Sequence, residues 1–383
     1  MFVTEKARET EVIADVDVLV VGGGPGGVPA AIAAARRGQR VLIAERYGFL
    51  GGLGVYGLMD GIFGYSPIES EPPHKPVLGG IPAEIIKRLQ KAGGAPDDDS
   101  IDWARVQFDS EIMKSVLEKM LTESGGEILY HSVAANVIMN ENMIDCVIFQ
   151  TKSGRAAIRA KMVIDATGDG DIAALAGESY EKGRAADGLM QAFGTKFIIG
   201  GVRDNAVDIC NASAPDAQPI RKKICDAIGA GAINAYSINV RPRTHYKDMR
   251  IFNVTRTAGD STDFMDLTRA EQQLRDDSFK ILHFYKQNVP GYEDAFIIET
   301  PVQVGVRETR RIVCEKTLKF NDVINMRKCA DSIARGCWHI DIHCPRGICS
   351  RYVETNTLCN MECKVDCYMK DNFAAQMPKS EYA

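Results

Sequence analysis

The chain has no excess of basic charge, no long apolar run and no Cys-x-x-Cys pair, and each absence removes a class of protein. Its formal net charge is −5, so there is no positive field to attract a phosphate backbone, and nucleic acid is not an expected partner. No hydrophobic stretch approaches the roughly 20 residues that cross a bilayer, so no membrane association is expected. The opening segment, Met1-Phe-Val-Thr-Glu-Lys-Ala-Arg-Glu-Thr-Glu11, lacks the apolar core of a secretory signal. Without an export signal the 11 cysteines read as thiols rather than disulfides, although seven of them crowd into residues 329–367. No internal repeat is present. A cytoplasmic enzyme of 383 residues, long enough for two domains, is the starting expectation.

What is present is concentrated near the start. Asp17-Val-Leu-Val-Val-Gly22-Gly-Gly24-Pro-Gly26-Gly27 runs from an apolar strand into a glycine turn. An Ala-rich helix follows, and a second apolar strand, Val41-Leu-Ile-Ala, ends on Glu45 and Arg46. In this strand–turn–helix–strand context Gly-x-Gly-x-x-Gly signals a dinucleotide site. Gly22 permits the tight turn, Gly24 lets a pyrophosphate approach the backbone, and Gly27 lets the helix pack against the strand. The phosphates then sit at the helix N-terminus, where free N–H groups and the dipole favour anions. Glu45 can accept hydrogen bonds from an adenosine ribose and would repel a 2′-phosphate, which disfavours NADP. The competing reading is a Gly-rich turn in an ordinary α/β protein.

Further along, a Gly-rich stretch with Gly51 and Gly52 leads into a Pro-rich loop, Pro67 to Pro82. A helix is predicted over Ile81 to Gln90. Another, capped by Asp109, carries apolar residues at Ile112, Met113, Val116, Leu117, Met120 and Leu121 and ends near Ser124. Ile128 to His131 then reads as a strand. Ala134 to Met139 and Ile144 to Thr151 flank a turn at Asn140-Glu-Asn, and a Ser153-Gly154 turn starts a further strand. Met162-Val-Ile-Asp-Ala166 runs into Thr167-Gly168-Asp169. A β-meander is therefore laid between two parallel strands, where plain NAD dehydrogenases use a helix.

The Gly-Gly-Gly-x-x-Gly turn at Gly22 to Gly27 and Ala166-Thr-Gly-Asp-Gly-Asp171 after the meander resemble one family. This is the FAD-dependent oxidoreductase family of two-dinucleotide-binding-domain flavoproteins. The later segment Arg307-Glu-Thr-Arg310-Arg311 resembles that family's Arg-x-x-Arg-Arg run, and the likeness extends from about residue 15 to about residue 345. The resemblance implies an α/β fold: a Rossmann-like FAD-binding domain with a parallel sheet and a β-meander, plus an inserted α+β substrate domain. The expected boundaries are 1–175 for the FAD-binding domain and 176–299 for the insertion, which holds a long helix near Thr268–Asn288. A return segment would cover 300–353, and 354–383 would form a Cys-rich tail. Strand-like runs in the insertion include Lys196-Phe-Ile-Ile and Ile233 to Arg241.

The resemblance also implies contacts. Gly22, Gly24, Gly26 and Gly27 would hold the FAD pyrophosphate, and Glu45 the AMP ribose. Arg46 with Gly51 and Gly52 would lie against the pyrophosphate and ribityl chain, and Val133 would lend backbone groups to the adenine. Thr167, Gly168 and Asp169 would close over the cofactor. Family members continue with a strand, a Gly-Arg segment and a final helix facing the flavin. After Val353 this chain instead gives a polar, Cys-rich stretch, so either a truncated copy or a partner subunit completing the flavin site is expected; a homo-oligomer would supply one.

Candidate chemistry is thinner. Arg307, Arg310 and Arg311 would share a face on a helix, and could clamp a substrate carboxylate or stabilise a reduced flavin anion. Their competing role is to pair with Glu308 and Glu299. Trp338-His339-Ile-Asp341-Ile-His343-Cys344 alternates polar and apolar residues, so on a strand His339, Asp341 and His343 would project together. They suit a general base with its orienting acid, a partial metal site, or merely a polar strand face. His245 and His283 are lone histidines and read as structural. Cys359, Cys363 and Cys367 could hold zinc or an iron–sulfur cluster, but the spacing matches no common ligand set, so no metal is assigned.

The leading expectation is an FAD-dependent oxidoreductase taking a hydride from a small polar or carboxylated substrate to flavin N5. The alternatives are a non-catalytic or electron-transfer subunit with a Cys-bound cluster, and an NAD-dependent dehydrogenase. A flavin-dependent RNA-modifying enzyme is disfavoured by the acidic charge balance.

Overall fold

The computed structural model describes residues 2–4, 6–67, 75–101, 105–185, 187–210, 214–238, 240–243 and 246–338, together with His343 and Pro345. In chain order the first elements are β1 (Val12–Val21), α1 (Gly27–Ala35), β2 (Val41–Ala44), α2 (Leu53–Tyr56), β3 (Gly61–Phe63) and α3 (Gly80–Lys91). Then follow β4 (Arg105–Gln107), α4 (Ser110–Glu123), β5 (Glu127–Leu129), β6 (Val133–Asn140), β7 (Met143–Thr151), β8 (Gly154–Asp165) and α5 (Asp171–Leu175).

These build a six-stranded sheet in the order β5-β2-β1-β8-β7-β6. β1 runs parallel to both β2 and β8, and β2 parallel to β5. The meander β6-β7-β8 is antiparallel. Alternation along the strands sorts the core. Val20 and Ile43 join α1, α3 and α4 on one face, while Leu19, Val21, Leu42 and Ala44 pack with Val147 and Phe149 on the other. Burying each such Val, Leu or Ile contributes about 1.5–3 kcal/mol. α4 begins at Asp109, whose Oδ1 accepts from the Glu111 and Ile112 backbone N–H groups at 2.8 and 3.2 Å.

The strand predicted after Ser153-Gly154 and the one predicted at Met162 are a single 12-residue strand, β8. Its N-terminal half pairs with β7 on one edge and with β1 on the other; its C-terminal half pairs with β1. The polar residues Arg159 and Lys161 look like a break in the sequence. They are tolerated because Arg159 meets Asp145 and Lys161 meets Asp17 at the surface.

The chain continues through β9 (Tyr180–Glu181), β10 (Lys196–Gly200), α6 (Ala217–Gly229), β11 (Val240–Arg243), β12 (Tyr246–Asn253), α7 (Phe264–Asn288), β13 (Phe296–Glu299), β14 (Arg311–Ile312) and α8 (Phe320–Ile324). A second, antiparallel sheet has the order β11-β12-β10-β13, and α6 and α7 cover one of its faces through Ile224, Ile228, Ile281 and Tyr285. The strand predicted from Ile233 shrinks to Val240–Arg243. Ile233 and Ala235 are buried in this second core as loop residues, so their apolar character reflects packing rather than pairing. β14 pairs with β9. Among the described residues no helix is long and apolar enough to cross a membrane.

The second sheet packs through Ile198 and Ile251 against Leu58, in the loop between α2 and β3. Beside this contact lies a buried ion pair, Lys196 Nζ to Asp60 Oδ1 at 3.4 Å, and Gln107 Nε2 donates to Asp60 Oδ2 at 2.7 Å. Burial pushes the Lys196 ammonium down from its ordinary value, and Asp60 opposes that. Removing one partner strands the other charge in the interior. Asp60→Ala is therefore expected to cost about 3–5 kcal/mol in chemical denaturation. The pair Asp60→Leu with Lys196→Met should recover most of that loss; a double variant as unstable as the single would show that the ion pair is not what holds this junction.

Candidate active site

β1 ends at Val21, between β2 and β8, where the strand order reverses: β2 and β5 lie on one side of β1, and the later strand β8 on the other. Ligands of doubly wound sheets bind at this switch point, outside the carboxyl ends of the strands. Two glycines there are enforced by sterics. Gly22 has φ +105°, and a Cβ on it would lie 2.3 Å from the Ala166 carbonyl oxygen. A Cβ on Gly27 would lie 1.9 Å from the Gly22 carbonyl oxygen and 3.0 Å from the Ala166 Cβ. Gly26, by contrast, has nothing within 4 Å of its Cβ position, and Gly24 meets only Gly52, at 3.8 Å. The turn is packed on its inner side and open on its outer side, as a backbone cradle for phosphates requires.

The open side faces a cleft of about 1340 Å³. Gly22, Gly24, Gly26, Glu45, Arg46 and Gly52 line one wall, and Val133, Thr167, Gly168 and Asp169 line another. Gly27 and Gly51 stand behind this lining: Gly27 sets the helix–strand distance, and Gly51 N–H donates to the Gly23 carbonyl at 2.8 Å, tying the two glycine turns together.

Glu45 is only 5% exposed. Its Oε2 accepts from the Gly23 N–H at 2.6 Å and its Oε1 from the Tyr47 N–H at 2.8 Å. The acid thus braces the glycine turn from the end of β2. A carboxylate has about four lone-pair sites, so both oxygens retain capacity for ribose hydroxyls. Arg46 stacks on Tyr47 and Tyr56, with its guanidinium carbon 5.0 and 5.8 Å from the ring centres. The Tyr47 hydroxyl donates to Gln303 Oε1, and burial pushes its phenol up to about 12.

After β8, Asp165 organises the turn. Its Oδ1 accepts from the Thr167 N–H and from the Thr167 hydroxyl at 2.7 Å, while Oδ2 accepts from the Ala173 N–H at 3.0 Å. Thr167 Oγ1 in turn accepts from the Asp171 N–H at 3.1 Å. Across the cleft Arg310 donates to the Asp169 carbonyl at 3.0 Å and to Asp171 Oδ1 at 2.8 Å. The Asp169 carboxyl is pushed up, first by burial and then by Asp171, against the pull of Arg46, Thr309 and Arg310.

Arg307, Arg310 and Arg311 do not share a helix. Residues 306–310 are irregular and Arg311 opens β14, because this segment docks onto the turn after β8 instead of hydrogen-bonding to itself. Arg310 and Arg311 are held by Asp171 and Glu308, and all three arginines line the cleft. His343 and Pro345 also line it; His339 and Asp341 lie outside the described residues. The His343 N–H donates to Gln191 Oε1 at 2.9 Å. The Cys-rich segment lies outside the described residues too. Among the described residues no group of three or more metal-ligating side chains comes together, and Cys146, Cys210, Cys225, Cys314, Cys329 and Cys337 form no disulfide.

Sequence reasoning missed Tyr56, Asp165, Gln191 and Gln303. Asp165 alone carried a signal, because an acid ending a strand before Ala-Thr-Gly can cap the turn that follows. The others reach the cleft from segments with no motif.

Asp169 yields a pH prediction. Its folded-state value lies above its unfolded one, so the folded chain holds that proton more tightly. Ionising it costs stability as pH rises from the unfolded value through the raised one. Asp169→Asn should therefore raise the Tm of cofactor-free protein at pH 7 and change it little near pH 4. Equal shifts at both pH values would show that ionisation of Asp169 is not the cause. Separately, Gly27→Ala should lower Tm sharply, while Gly26→Ala should leave it nearly unchanged; similar losses would contradict the one-sided packing of the turn.

The chain is 32% identical to a thiamine thiazole synthase of Methanococcus vannielii over 164 residues, covering 40% of this chain and 56% of that protein. It is 31% identical to the Aeropyrum pernix thiamine thiazole synthase over 156 residues, 40% of this chain and 54% of that one. The matched region thus spans little more than half the length of these relatives. Among solved structures, THI4 of Thermovibrio ammonificans has a TM-score of 0.32 at 21% identity, covering 45% of this chain and 68% of that one. A geranylgeranyl bacteriochlorophyll reductase-like protein of Thermoplasma acidophilum has a TM-score of 0.43 at 17% identity, covering 76% and 66%. The sequence pattern described as FAD dependent oxidoreductase matches residues 17–368. With that match spanning both sheets and the cleft at the end of the first, the chain belongs to the FAD-dependent oxidoreductase family, and its cofactor is FAD.

Proposed function

We propose that this enzyme oxidises a small polar or carboxylated organic molecule by hydride transfer to flavin N5. The observation that carries the reading is the size and lining of the cleft. Its volume of about 1340 Å³ exceeds the roughly 300–1,000 Å³ of a usual single-ligand pocket. It continues from the glycine turn to Arg307 and His343, leaving space for a second, smaller molecule beside a dinucleotide.

In this reading Gly22, Gly24 and Gly26 hold the pyrophosphate on backbone N–H groups at the start of α1. Glu45 accepts from the ribose, Val133 lies by the adenine, and Arg46, Gly52, Thr167, Gly168 and Asp169 enclose the middle of the cofactor. FAD supplies the hydride acceptor when bound. Arg307 binds and orients the substrate carboxylate through a bidentate, charge-assisted pair, and His343 adds a hydrogen bond at the same end. Arg310 and Arg311 keep the 306–311 segment against the turn after β8, which fixes Arg307 relative to the cofactor. Thiazole synthesis, the activity in the relatives' name, is not carried over, because the match covers only 40% of this chain.

Cofactor released from the purified protein should be FAD by absorbance and mass; recovery of NAD instead, or of no flavin, overturns the reading. In a screen of carboxylated donors, Arg307→Met should lower kcat/KM about 10- to 100-fold, the loss of one charged hydrogen-bonded pair. FAD content should not change. Loss of FAD would assign Arg307 to the cofactor rather than the substrate.

A further inference from the structure

We infer that Tyr47 is a positioning residue that seats the Arg46 guanidinium in advance for the diphosphate of the cofactor, a role that rests on the cofactor placement proposed above. Arg46 follows Glu45, the acid that braces the glycine turn, and lines the same wall of the cleft as Gly22, Gly24 and Gly26. Two aromatic faces hold it. Its Cζ lies 5.0 Å from the centre of the Tyr47 ring and 5.8 Å from that of Tyr56. The two rings pack together with centroids 5.2 Å apart at 47°, so they form a notch rather than a flat shelf. The notch is itself braced. Phe49 stacks on Tyr47 at 5.5 Å and 6°, the Tyr47 hydroxyl donates to Gln303, and the Tyr56 carbonyl accepts from the Val302 N–H at 2.9 Å.

Charge decides what the notch serves. A guanidinium carries five N–H donors, no acceptor, and a charge it does not lose. Glu45 is its neighbour in the chain, but the Glu45 oxygens turn to the Gly23 and Tyr47 N–H groups. Among the described residues no carboxylate forms an ion pair with Arg46; Glu45 and Asp169 act on it only at longer range. Arg310 and Arg311 differ, being paired with Asp171 and Glu308. Ring faces attract a cation without neutralising it, so the charge and the donors of Arg46 stay open to an anion. A diphosphate fits: its oxygens accept the planar fork, and the glycine turn offers backbone N–H groups on the same wall. Tyr56 lines the cleft, while Tyr47 stands behind the lining. The Tyr47 side chain therefore acts on bound cofactor through its neighbours, the ring face through Arg46 and the hydroxyl through Gln303. An arginine already seated in the notch loses little rotamer freedom when the anion arrives, which is what the ring contributes.

The test measures binding rather than turnover. FAD binding to cofactor-free, full-length protein is read by flavin fluorescence, and ADP binding by calorimetry. Arg46→Met should weaken both about 10- to 100-fold, the loss of one charged hydrogen-bonded pair. Tyr47→Leu should weaken both about 2- to 10-fold, the cost of immobilising one side chain. Tyr47→Phe should bind like the wild type, and in the Arg46→Met background Tyr47→Leu should cost nothing further. Additive losses overturn the inference. So does a Tyr47→Phe variant as weak as Tyr47→Leu, because the bond to Gln303 would then be the cause. Arg46→Met that loses FAD but not ADP places the arginine on the flavin half and overturns it as well. Arg46→Lys keeps the charge without the planar fork and should recover only part of the affinity. Wild-type affinity in that variant overturns the inference even if Tyr47→Leu does not fold. A wild type that binds neither FAD nor ADP overturns the cofactor placement and the inference with it; FAD binding with additive losses overturns the inference alone.

Discussion

The whole site depends on a contact between backbones that leaves no room for a side chain. Gly22 presses on the Ala166 carbonyl, and Gly27 presses on Gly22, so β1, α1 and the end of β8 are drawn together at one point. Residues about 140 positions apart in the chain meet there. With α1 this close, the free N–H groups at its start open toward the cleft, and the turn after β8 becomes the opposite wall. Any Cβ at either position would separate these walls before it disturbed any ligand contact.

Paired charges then attach the remaining parts to this point. Glu45 joins the end of β2 to the glycine turn through the Gly23 N–H. Arg310 joins the 306–311 segment to Asp169 and Asp171. Lys196 and Asp60 pin the second sheet against β3 and β4. The Glu45 and Lys196–Asp60 interactions satisfy buried polar groups that would otherwise cost free energy. Asp169 differs from these. Its carboxyl lies in a partly buried place where ionisation is disfavoured, first by burial and then by Asp171.

Much of the first sheet was legible because its signals are local. The glycine spacing, the strand ending on Glu45, and the cap at Asp109 all act within a few residues. So does the turn chemistry of the meander. Periodicity failed where tertiary packing imitated it. The apolar residues Ile233 and Ala235 suggested a strand but serve as loop residues in the second core. The three arginines suggested a helical face because they are spaced at three and four, yet hydrogen bonds from Arg310 to the turn after β8 hold that segment in an irregular conformation.

By itself the sequence determined that the chain has a dinucleotide turn, a meander in place of a crossover helix, and the family to which both belong. These follow from steric and hydrogen-bonding rules that operate over short stretches. Only the tertiary structure decided which residues share the cleft. It separated Gly26, which faces open space, from Gly27, which cannot bear a side chain, although the two are neighbours. It also brought Tyr56 and Gln303 to Arg46 and Tyr47, which no spacing could announce. Such contacts depend on how segments distant in the chain pack together, and that packing is set by the shape and charge of whole faces rather than by any local pattern.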